Sequence, residues 1–187
     1  MGRWEPDARG RLRLSALELY AERGFESTTA VEIAERAGVT ERTFFRHFAD
    51  KREVLFAGSS ELQDSVVNAV DSAPASLTPI EIVAGAMESA AAQLPDRDYS
   101  RRRAKVIAAN PSLQERELLK FSTLAGAVAD ALRRRGIPRV TAGLAAETGV
   151  TVFKIGFEIW IEVGTTADFA QCIRDALEQL RGLTSSA

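Results

Sequence analysis

GFESTTAVEIAERAGVTERTFFRHFADKREVL, residues 24–55, is the segment on which the fold of this chain depends most. Small apolar residues recur in it at helical spacing and predict one apolar face on a short helix that starts near Thr28: Ala30, Ile33, Ala34 and Ala37. Gly38 stands where a helix is expected to stop, and Thr40 is a favourable N-cap for a second helix. The pattern therefore predicts a helix, a tight turn and another helix.

The second helix of this stretch has two different faces. Phe44 and Phe48 are four residues apart and share one face. The opposite face is mostly polar and basic, and it is formed by Arg42, Thr43, Phe45 and Arg46. A short helix that is anchored on one side and basic on the other has the dimensions of a major-groove reader. The alternative interpretation is the corner of a plain three-helix bundle with a solvated basic face.

Groove chemistry suggests roles for two of these side chains and for the neighbouring Glu41. Arg42 can donate two hydrogen bonds to guanine O6 and N7, and Thr43 suits a phosphate or a thymine methyl group. Glu41 either accepts from cytosine N4 or, as we favour, only stabilises the helix amino terminus.

The rest of the chain predicts an all-α fold with about nine helices. Asp50 is expected to cap a long helix, with Glu53 at its third position, that runs from Lys51 to about Ser72. Further helices are expected near residues 79–94, 98–109, 111–135 and 140–163, and a last one is opened by Thr165 or Thr166. The two closing helices carry apolar residues on several sides, which suits either a partner or a fully packed monomer bundle.

The balance of charges limits how this chain could bind DNA. The net charge is −2, and residues 1–55 are electrically balanced, so DNA binding must rest on local basic patches. The run Arg101–Arg103 is interpreted mainly as solvated charge and the basic arm around Arg3 mainly as an ordinary terminus, although either could contact nucleic acid.

The inventory for catalysis is poor. His47 is the only histidine and Cys172 the only cysteine, and neither lies in a triad or metal-ligand spacing, so we expect no enzyme, no metal site and no cofactor. With no possible internal disulfide, no signal peptide and no apolar run long enough for a membrane span, the sequence predicts a cytoplasmic protein that is not bound to a membrane.

A resemblance adds to this interpretation. Residues 10–56 resemble the DNA-binding region of the TetR/AcrR family of transcriptional regulators. The matched positions are Gly24, Phe25, Thr28, Thr29, Ile33, Ala34, Ala37, Gly38, Val39, Thr40, Thr43, Phe45, His47, Phe48 and Lys51. The resemblance implies that Thr29, Thr43, Phe45, His47 and Lys51 contact the DNA backbone and that Arg42 lies near the base readers. The expected DNA-binding residues are Thr29, Thr40, Glu41, Arg42, Thr43, Phe45, Arg46, His47 and Lys51.

Two positions depart from the family pattern. Phe45 stands where the family commonly has a tyrosine that bonds a phosphate, so its ring must act by apolar contact or be partly buried. Ala30 is smaller than the usual residue and offers less of a base contact.

The resemblance also implies an organisation in two parts. Residues 1–50 would be the helix-turn-helix DNA-binding domain, and residues 51–187 a helical domain for effector binding and dimerisation. A homodimer would bind double-stranded DNA at a pseudo-palindromic operator with half-sites about 34 Å apart. The expected dimer interface is Leu144, Val152, Ile155, Ile159, Phe169, Ile173 and Leu177.

A small-molecule effector is implied too, and the expected pocket residues are Met87, Phe121, Phe153, Phe157 and Trp160, each of which also suits an ordinary core. The protein is thus expected to be a ligand-responsive regulator, most often a repressor. The alternatives are a constitutive DNA-binding regulator without an effector, and a helical adaptor or enzyme that has lost DNA binding.

Overall fold

The structure is a computed structural model that describes residues 7–94, 96–162 and 164–184. These residues form nine α-helices, one 3₁₀ helix and no strand, which confirms the all-α prediction. The helices are α1 (Ala8–Arg23), α2 (Ala30–Arg36), α3 (Glu41–His47), the 3₁₀ helix (Glu53–Phe56), α4 (Ser59–Ser72), α5 (Pro79–Ala91), α6 (Arg97–Ala108), α7 (Pro111–Arg134), α8 (Arg139–Ile161) and α9 (Phe169–Thr184). The basic arm around Arg3 lies outside the described residues.

The chain divides into two compact units. The amino-terminal unit comprises residues 1–58 and 102–117, and the carboxy-terminal unit comprises residues 59–101 and 118–187. The amino-terminal unit therefore contains α1, α2, α3 and the 3₁₀ helix together with the end of α6 and the start of α7. The chain passes from one unit to the other at three points: after Gly58, within α6 and within α7. No change of composition in the sequence marks the two points inside helices.

The prediction that one long helix begins at Lys51 is wrong for its first part. The Asp50 carboxylate accepts the backbone N–H groups of Arg52 and Glu53 at 2.8 and 3.1 Å, but it starts only the 3₁₀ helix Glu53–Phe56. Gly58 then adopts a φ of +93°, a left-handed conformation that interrupts a helix, and α4 begins at Ser59. The last helix likewise begins after Asp168, whose carboxylate accepts the Gln171 N–H at 2.7 Å, and not at Thr165 or Thr166.

The core of the carboxy-terminal unit is built around α5, α8 and α9. Two glycines let α8 approach its neighbours closely: a Cβ on Gly149 would lie 2.1 Å from Val83 Cγ1, and one on Gly156 would lie 3.0 Å from the backbone of Ile173. Val83 and Ile173 are fully buried at these contacts. The packing of α8 against α5 and α9 therefore depends on the absence of two side chains.

The arginine runs of the sequence are mainly structural. Arg101 Nε donates to the Ile161 carbonyl at the end of α8 at 2.6 Å, whereas Arg103 Nε donates to the Leu55 carbonyl at 2.6 Å. The interpretation of Arg101–Arg103 as solvated charge is thus wrong for two of its three members, and only Arg102 is exposed. Arg135 donates to three carbonyls at the end of α4, those of Val70, Asp71 and Ala73, at 2.7–3.0 Å.

Across the described parts of the chain, none of the helices has both the length and the apolar character needed to cross a lipid bilayer.

Candidate nucleic-acid interface

The predicted helix, turn and helix are formed by α2, residues 37–40 and α3. Thr29 is the N-cap of α2 in a complete capping box, since Glu32 N donates to Thr29 Oγ1 at 3.2 Å and Thr29 N donates to Glu32 Oε2 at 2.8 Å. Gly38 ends the helix at a φ of +68°, and the following N–H, that of Val39, returns to the Ala34 carbonyl at 3.0 Å. Thr40 caps α3 and accepts from Thr43 N at 3.2 Å.

The inner side of α3 is an aromatic anchor. Phe44 is fully buried and Phe48 is 5% exposed, and their ring centroids are 5.8 Å apart. Burial of a phenyl ring of this kind contributes several kcal/mol to stability, of the order of 3–5 kcal/mol when measured as Phe→Ala. The two rings therefore fix which side of α3 faces outward.

The outward side of α3 carries two arginines and an aromatic ring. Arg42 and Arg46 are exposed, and neither guanidinium has a partner among the described residues. Phe45 lies between them along the chain, is 52% exposed, and packs its edge against Phe44 at 5.2 Å between centroids. Of the two possibilities left open for Phe45, the structure shows an exposed ring that is available for apolar contact.

The hydroxyl groups expected at DNA already have local partners. Thr29 Oγ1 donates to Glu32 Oε2 at 2.9 Å, and the Thr40 and Thr43 hydroxyls are 3.0 Å apart. A hydroxyl can accept as well as donate, so each of these groups can still bind a water molecule that contacts a phosphate. The methyl group of each threonine can separately contact a thymine methyl group. Glu41 is exposed in the first turn of α3, where its charge suits the helix dipole.

His47 is less accessible than its neighbours on α3. Its ring is half-buried, its centroid lies 6.3 Å from that of Phe48, and its Nε2 atom is buried with no hydrogen-bond partner in the part of the chain that the structure describes. A backbone contact by His47 must therefore be made through the other ring nitrogen.

Lys51 does not extend toward solvent. Its Nζ donates to three backbone carbonyls in the loop that precedes α2, those of Phe25, Glu26 and Thr28, at 2.8, 3.2 and 2.9 Å. The ammonium also lies 4.4 Å from the centroid of the Phe25 ring. The geometry of Lys51 therefore does not support the expected contact with the DNA backbone.

Two further contacts that the sequence did not reveal brace α2 against α1. Arg11 Nε donates to the Ala37 carbonyl at the end of α2 at 3.0 Å, and Arg36 donates to both carboxylate oxygens of Glu22 at 2.7 and 2.9 Å. The hydrogen bond from Arg36 holds the pKa of the Glu22 carboxyl below its ordinary value. Arg11 and Arg36 therefore hold α1 and α2 together.

The residues expected at a dimer interface separate into two groups. Leu144 is 66% exposed, and Ile155 and Ile159 are also exposed on α8, together with Val140. The other four lie in the core of the carboxy-terminal unit and have almost no surface to offer a partner: Val152, Phe169, Ile173 and Leu177. The expectation is corrected for these four, whose apolar character reflects the packing of α8 and α9.

The expected pocket residues belong to the core of the carboxy-terminal unit. Phe153, Phe157 and Trp160 form an aromatic cluster with Phe169, with centroid distances of 5.0–5.9 Å. Met87 is fully buried and Phe121 partly buried in the same core. A separate groove of about 410 Å³ lies between α5 and α9 and is lined by charged side chains of both signs around Ala84, Gly85 and Leu177, so it is not the expected apolar pocket.

Within residues 7–94, 96–162 and 164–184, no group of three or more histidine, cysteine or carboxylate side chains is arranged to hold a metal ion. Burial raises the pKa of the Cys172 thiol, the only cysteine of the chain.

Two short helices are joined by a tight turn, and buried rings hold the second so that its basic face is outward, which is the helix-turn-helix arrangement known from DNA-binding proteins. Comparison with known proteins agrees. Residues 13–57 match the family of bacterial regulatory proteins described as the tetR family, and residues 77–184 match the family described as the MftR C-terminal domain. The chain belongs to the TetR family of bacterial regulatory proteins.

Individual proteins show how much of the chain is similar to known regulators. The chain is 38% identical over 88 residues to the transcriptional regulator TcmR of Streptomyces glaucescens, which covers 47% of this chain and 39% of that protein. The aligned part spans less than two fifths of the length of the known relatives that it matches.

Solved structures show the same fold over almost the whole chain. The repressor FadR of Thermus thermophilus, in complex with lauroyl-CoA, has a TM-score of 0.56 at 24% identity and covers 96% of both chains. A complex of SmeT with triclosan has a TM-score of 0.62 at 20% identity and covers 94% of this chain and 90% of that one.

Proposed function

We propose that the protein is a sequence-specific transcriptional regulator that binds double-stranded DNA as a homodimer and responds to a small molecule. In this proposal residues 1–50 read a half-site of a pseudo-palindromic operator, and residues 51–187 supply dimerisation and the response to the effector. A regulator of chromosomal DNA acts in the cytoplasm. Repression is the sign that we favour, because the T. thermophilus neighbour with this fold is a repressor.

The observation that carries the proposal is the outward face of α3. Arg42 and Arg46 are exposed cations without a partner among the described residues, and they stand on a helix that is held from behind by Phe44. In a major groove the planar guanidinium of Arg42 pairs with guanine O6 and N7, and the exposed ring of Phe45 meets a thymine methyl group. We place Thr29, Thr40, Thr43 and one nitrogen of His47 at the flanking backbone.

Dimerisation is supported by the outer face of α8. Val140, Leu144, Ile155 and Ile159 are aliphatic side chains exposed on a helix whose other side is buried in the core. They follow each other at intervals of four, eleven and four residues, which keeps them on one side of a helix. Because one short helix reads only a few base pairs, a second copy joined through this face supplies the second half-site.

The response to a small molecule is supported by the chemistry of the aromatic cluster. Phe153, Phe157, Trp160 and Phe169 form a cluster of packed aromatic rings, the kind of side chain that commonly lines sites for apolar ligands. FadR with lauroyl-CoA and SmeT with triclosan are neighbours of the same fold that hold molecules with large apolar parts. We therefore propose an apolar effector.

Selection of binding sites from random double-stranded DNA tests the proposal. The intact protein should enrich an inverted repeat whose half-sites are about 34 Å apart, and its affinity for that repeat should exceed its non-specific affinity by at least about 10³-fold. The double variant Arg42→Ala/Arg46→Ala is the control and should enrich no sequence. If the parent protein retains random DNA without any inverted repeat, the proposed function is wrong and the adaptor or enzyme alternative gains support.

The effector is tested separately with the selected operator. Triclosan and a long-chain acyl-CoA serve as apolar probes, and a ligand present at about 100 times its Kd should stabilise the protein by about 2.7 kcal/mol. Release of the operator by the same compound supports a ligand-responsive regulator. Stabilisation without release favours a constitutive DNA-binding protein.

A further inference from the structure

The surroundings of Lys51 differ from those of Arg42 and Arg46, the exposed cations of α3. An ammonium group has three N–H donors, and the three carbonyls that accept from Lys51 Nζ at 2.8–3.2 Å use all of them. The Phe25 ring, 4.4 Å from Nζ to its centroid, covers the group from another side. To bind a phosphate, Lys51 would have to give up at least one of these hydrogen bonds.

The backbone of Lys51 is fixed as firmly as its side chain. The Tyr20 hydroxyl donates to the Lys51 carbonyl at 2.6 Å, and Tyr20 is 3% exposed in α1. The Tyr20 ring meets the Phe25 ring edge-on, with 5.2 Å between centroids. Burial is the first cause that raises the pKa of the Tyr20 phenol, so this hydroxyl remains a donor across the accessible pH range. Lys51 is therefore tied to α1 at its carbonyl and to the loop at its ammonium.

The loop that Lys51 holds leads directly into α2. Phe25, Glu26 and Thr28 precede Thr29, the N-cap of α2, and Thr28 Oγ1 closes the loop by donating to the Gly24 carbonyl at 2.9 Å. Three carbonyl oxygens that converge on one point repel each other unless a cation lies between them. Without the ammonium this arrangement would open, and the first turn of α2 would no longer have a fixed position.

We propose that Lys51 is a positioning residue: its ammonium gathers the carbonyls of the loop before α2 and so fixes the helix-turn-helix for DNA, and it does not contact a phosphate. This role rests on the proposed DNA-binding function. It differs from the role that the family resemblance implies for Lys51, and it assigns the phosphate contacts of this region to exposed groups such as Arg46.

Two substitutions of Lys51 separate the roles. Lys51→Met keeps the aliphatic stem and removes the charge and all three donors, whereas Lys51→Arg keeps the charge but presents a planar fork that does not fit three converging carbonyls. Arg46→Gln is the matched control, because it removes a charge from an exposed side chain of the same unit. Affinity for the selected operator is measured against salt concentration, with proteins shown to be folded by circular dichroism.

If Lys51 positions the loop, both Lys51 variants bind about tenfold or more weakly, the scale of one misplaced base contact, and the slope of log K against log salt stays that of the parent. Amide hydrogen exchange over residues 25–33 should be faster in both. Arg46→Gln should instead lower the slope by about 0.9 for each phosphate that the shortened, neutral side chain no longer binds, and it should leave the exchange of this loop unchanged.

Three results would overturn the proposal. A lower salt slope for Lys51→Met together with parental affinity for Lys51→Arg indicates a phosphate contact. Parental operator affinity in both folded variants, with only a lower melting temperature, indicates a general role in stability. Unchanged exchange over residues 25–33 removes the loop from the explanation. Sequence-specific binding by the parent is measured first, so a failure of the proposed function is recognised before any Lys51 variant is interpreted.

Discussion

The outward faces of α3 and α8 are both single helical surfaces, but they are built for different partners. The face of α3 exposes Arg42, Phe45 and Arg46. The face of α8 exposes four aliphatic side chains from Val140 to Ile159, and two carboxylates, Glu147 and Glu158, are exposed on the same side. Cations without partners suit a polyanion, and their contribution falls as salt rises. Aliphatic side chains suit a second apolar surface, and their contribution depends little on salt. In the proposed function, the exposed cations of α3 and the exposed aliphatic side chains of α8 therefore serve two different partners of one all-α chain.

The largest effect is expected from placing charge on the α8 face. Leu144→Glu with Ile155→Glu puts two carboxylates where an apolar partner surface is expected, so the protein should become monomeric. Affinity for the operator should fall by about 10³-fold, toward the non-specific level, because one half-site is read at a time. Sedimentation at two salt concentrations and an operator titration check this. Ser89→Glu on α5 is the charge control, and a dimer that survives the double substitution would contradict the assignment of this face.

The next effect compares two adjacent rings of α3. Phe44→Ala removes a fully buried ring and should lower the free energy of unfolding by about 3–5 kcal/mol. Phe45→Ala changes an exposed ring and should alter stability by no more than about 0.5 kcal/mol while weakening DNA binding. Urea denaturation and operator titration measure the two quantities. Equal losses of stability in the two variants would show that α3 is turned differently about its axis.

A smaller effect is expected from one base contact. Arg42→Ala should cost about 1–3 kcal/mol of binding free energy per half-site and relax specificity at one base pair. Repeating the random-DNA selection with the variant reveals which position becomes degenerate. A uniform decrease in affinity at every position would instead make Arg42 a phosphate contact.

The smallest effect concerns two similar helix starts, one in each unit. Hydrogen bonds from Thr29, first from its backbone N–H, hold the pKa of Glu32 below its ordinary 4.5, and those from the Thr78 side chain and backbone do the same for Glu81. Since both pKa values are lowered by folding, the stabilisation is present above pH 4.5 and disappears as the pH falls through the folded-state values. Glu32→Gln and Glu81→Gln should each flatten the acid side of a melting-temperature profile.

The same pair of variants separates the two units by function. Glu32→Gln alters the cap of α2 and should also weaken operator binding slightly, whereas Glu81→Gln alters the cap of α5 and should leave operator binding unchanged. A decrease in DNA affinity in Glu81→Gln alone would contradict this division.

The sequence predicted the helix-turn-helix because its signals are local. Thr29, Gly38 and Thr40 act within three or four residues of their partners, so their spacing alone places the two helices and the turn. The rotation of α3 was predicted for the same reason, since Phe44 and Phe48 are one turn apart.

The remaining parts depend on contacts between distant residues. Nothing in the sequence indicates that the Lys51 ammonium lies against carbonyls 23–26 positions earlier, or that Arg103 ends at the Leu55 carbonyl. On α8 and α9 the apolar residues cover several sides, so periodicity did not distinguish the exposed Leu144 from the buried Val152. The interruption at Gly58 was missed because its positive φ is a property of the folded backbone.

In the proposed homodimer, the two glycine contacts of α8 influence how one copy of the chain fits the other. Gly149 and Gly156 are two turns apart and lie on the same side of α8. Their close contacts with Val83 and Ile173 therefore fix the rotation of α8 about its long axis. The direction in which Leu144 and Ile155 point is therefore determined by the glycine contacts on the buried side of α8. A methyl group added at Gly149 would meet Val83 and would rotate α8, so that Leu144 and Ile155 would point in another direction. Residues that do not contact the second copy would then decide whether the second copy fits.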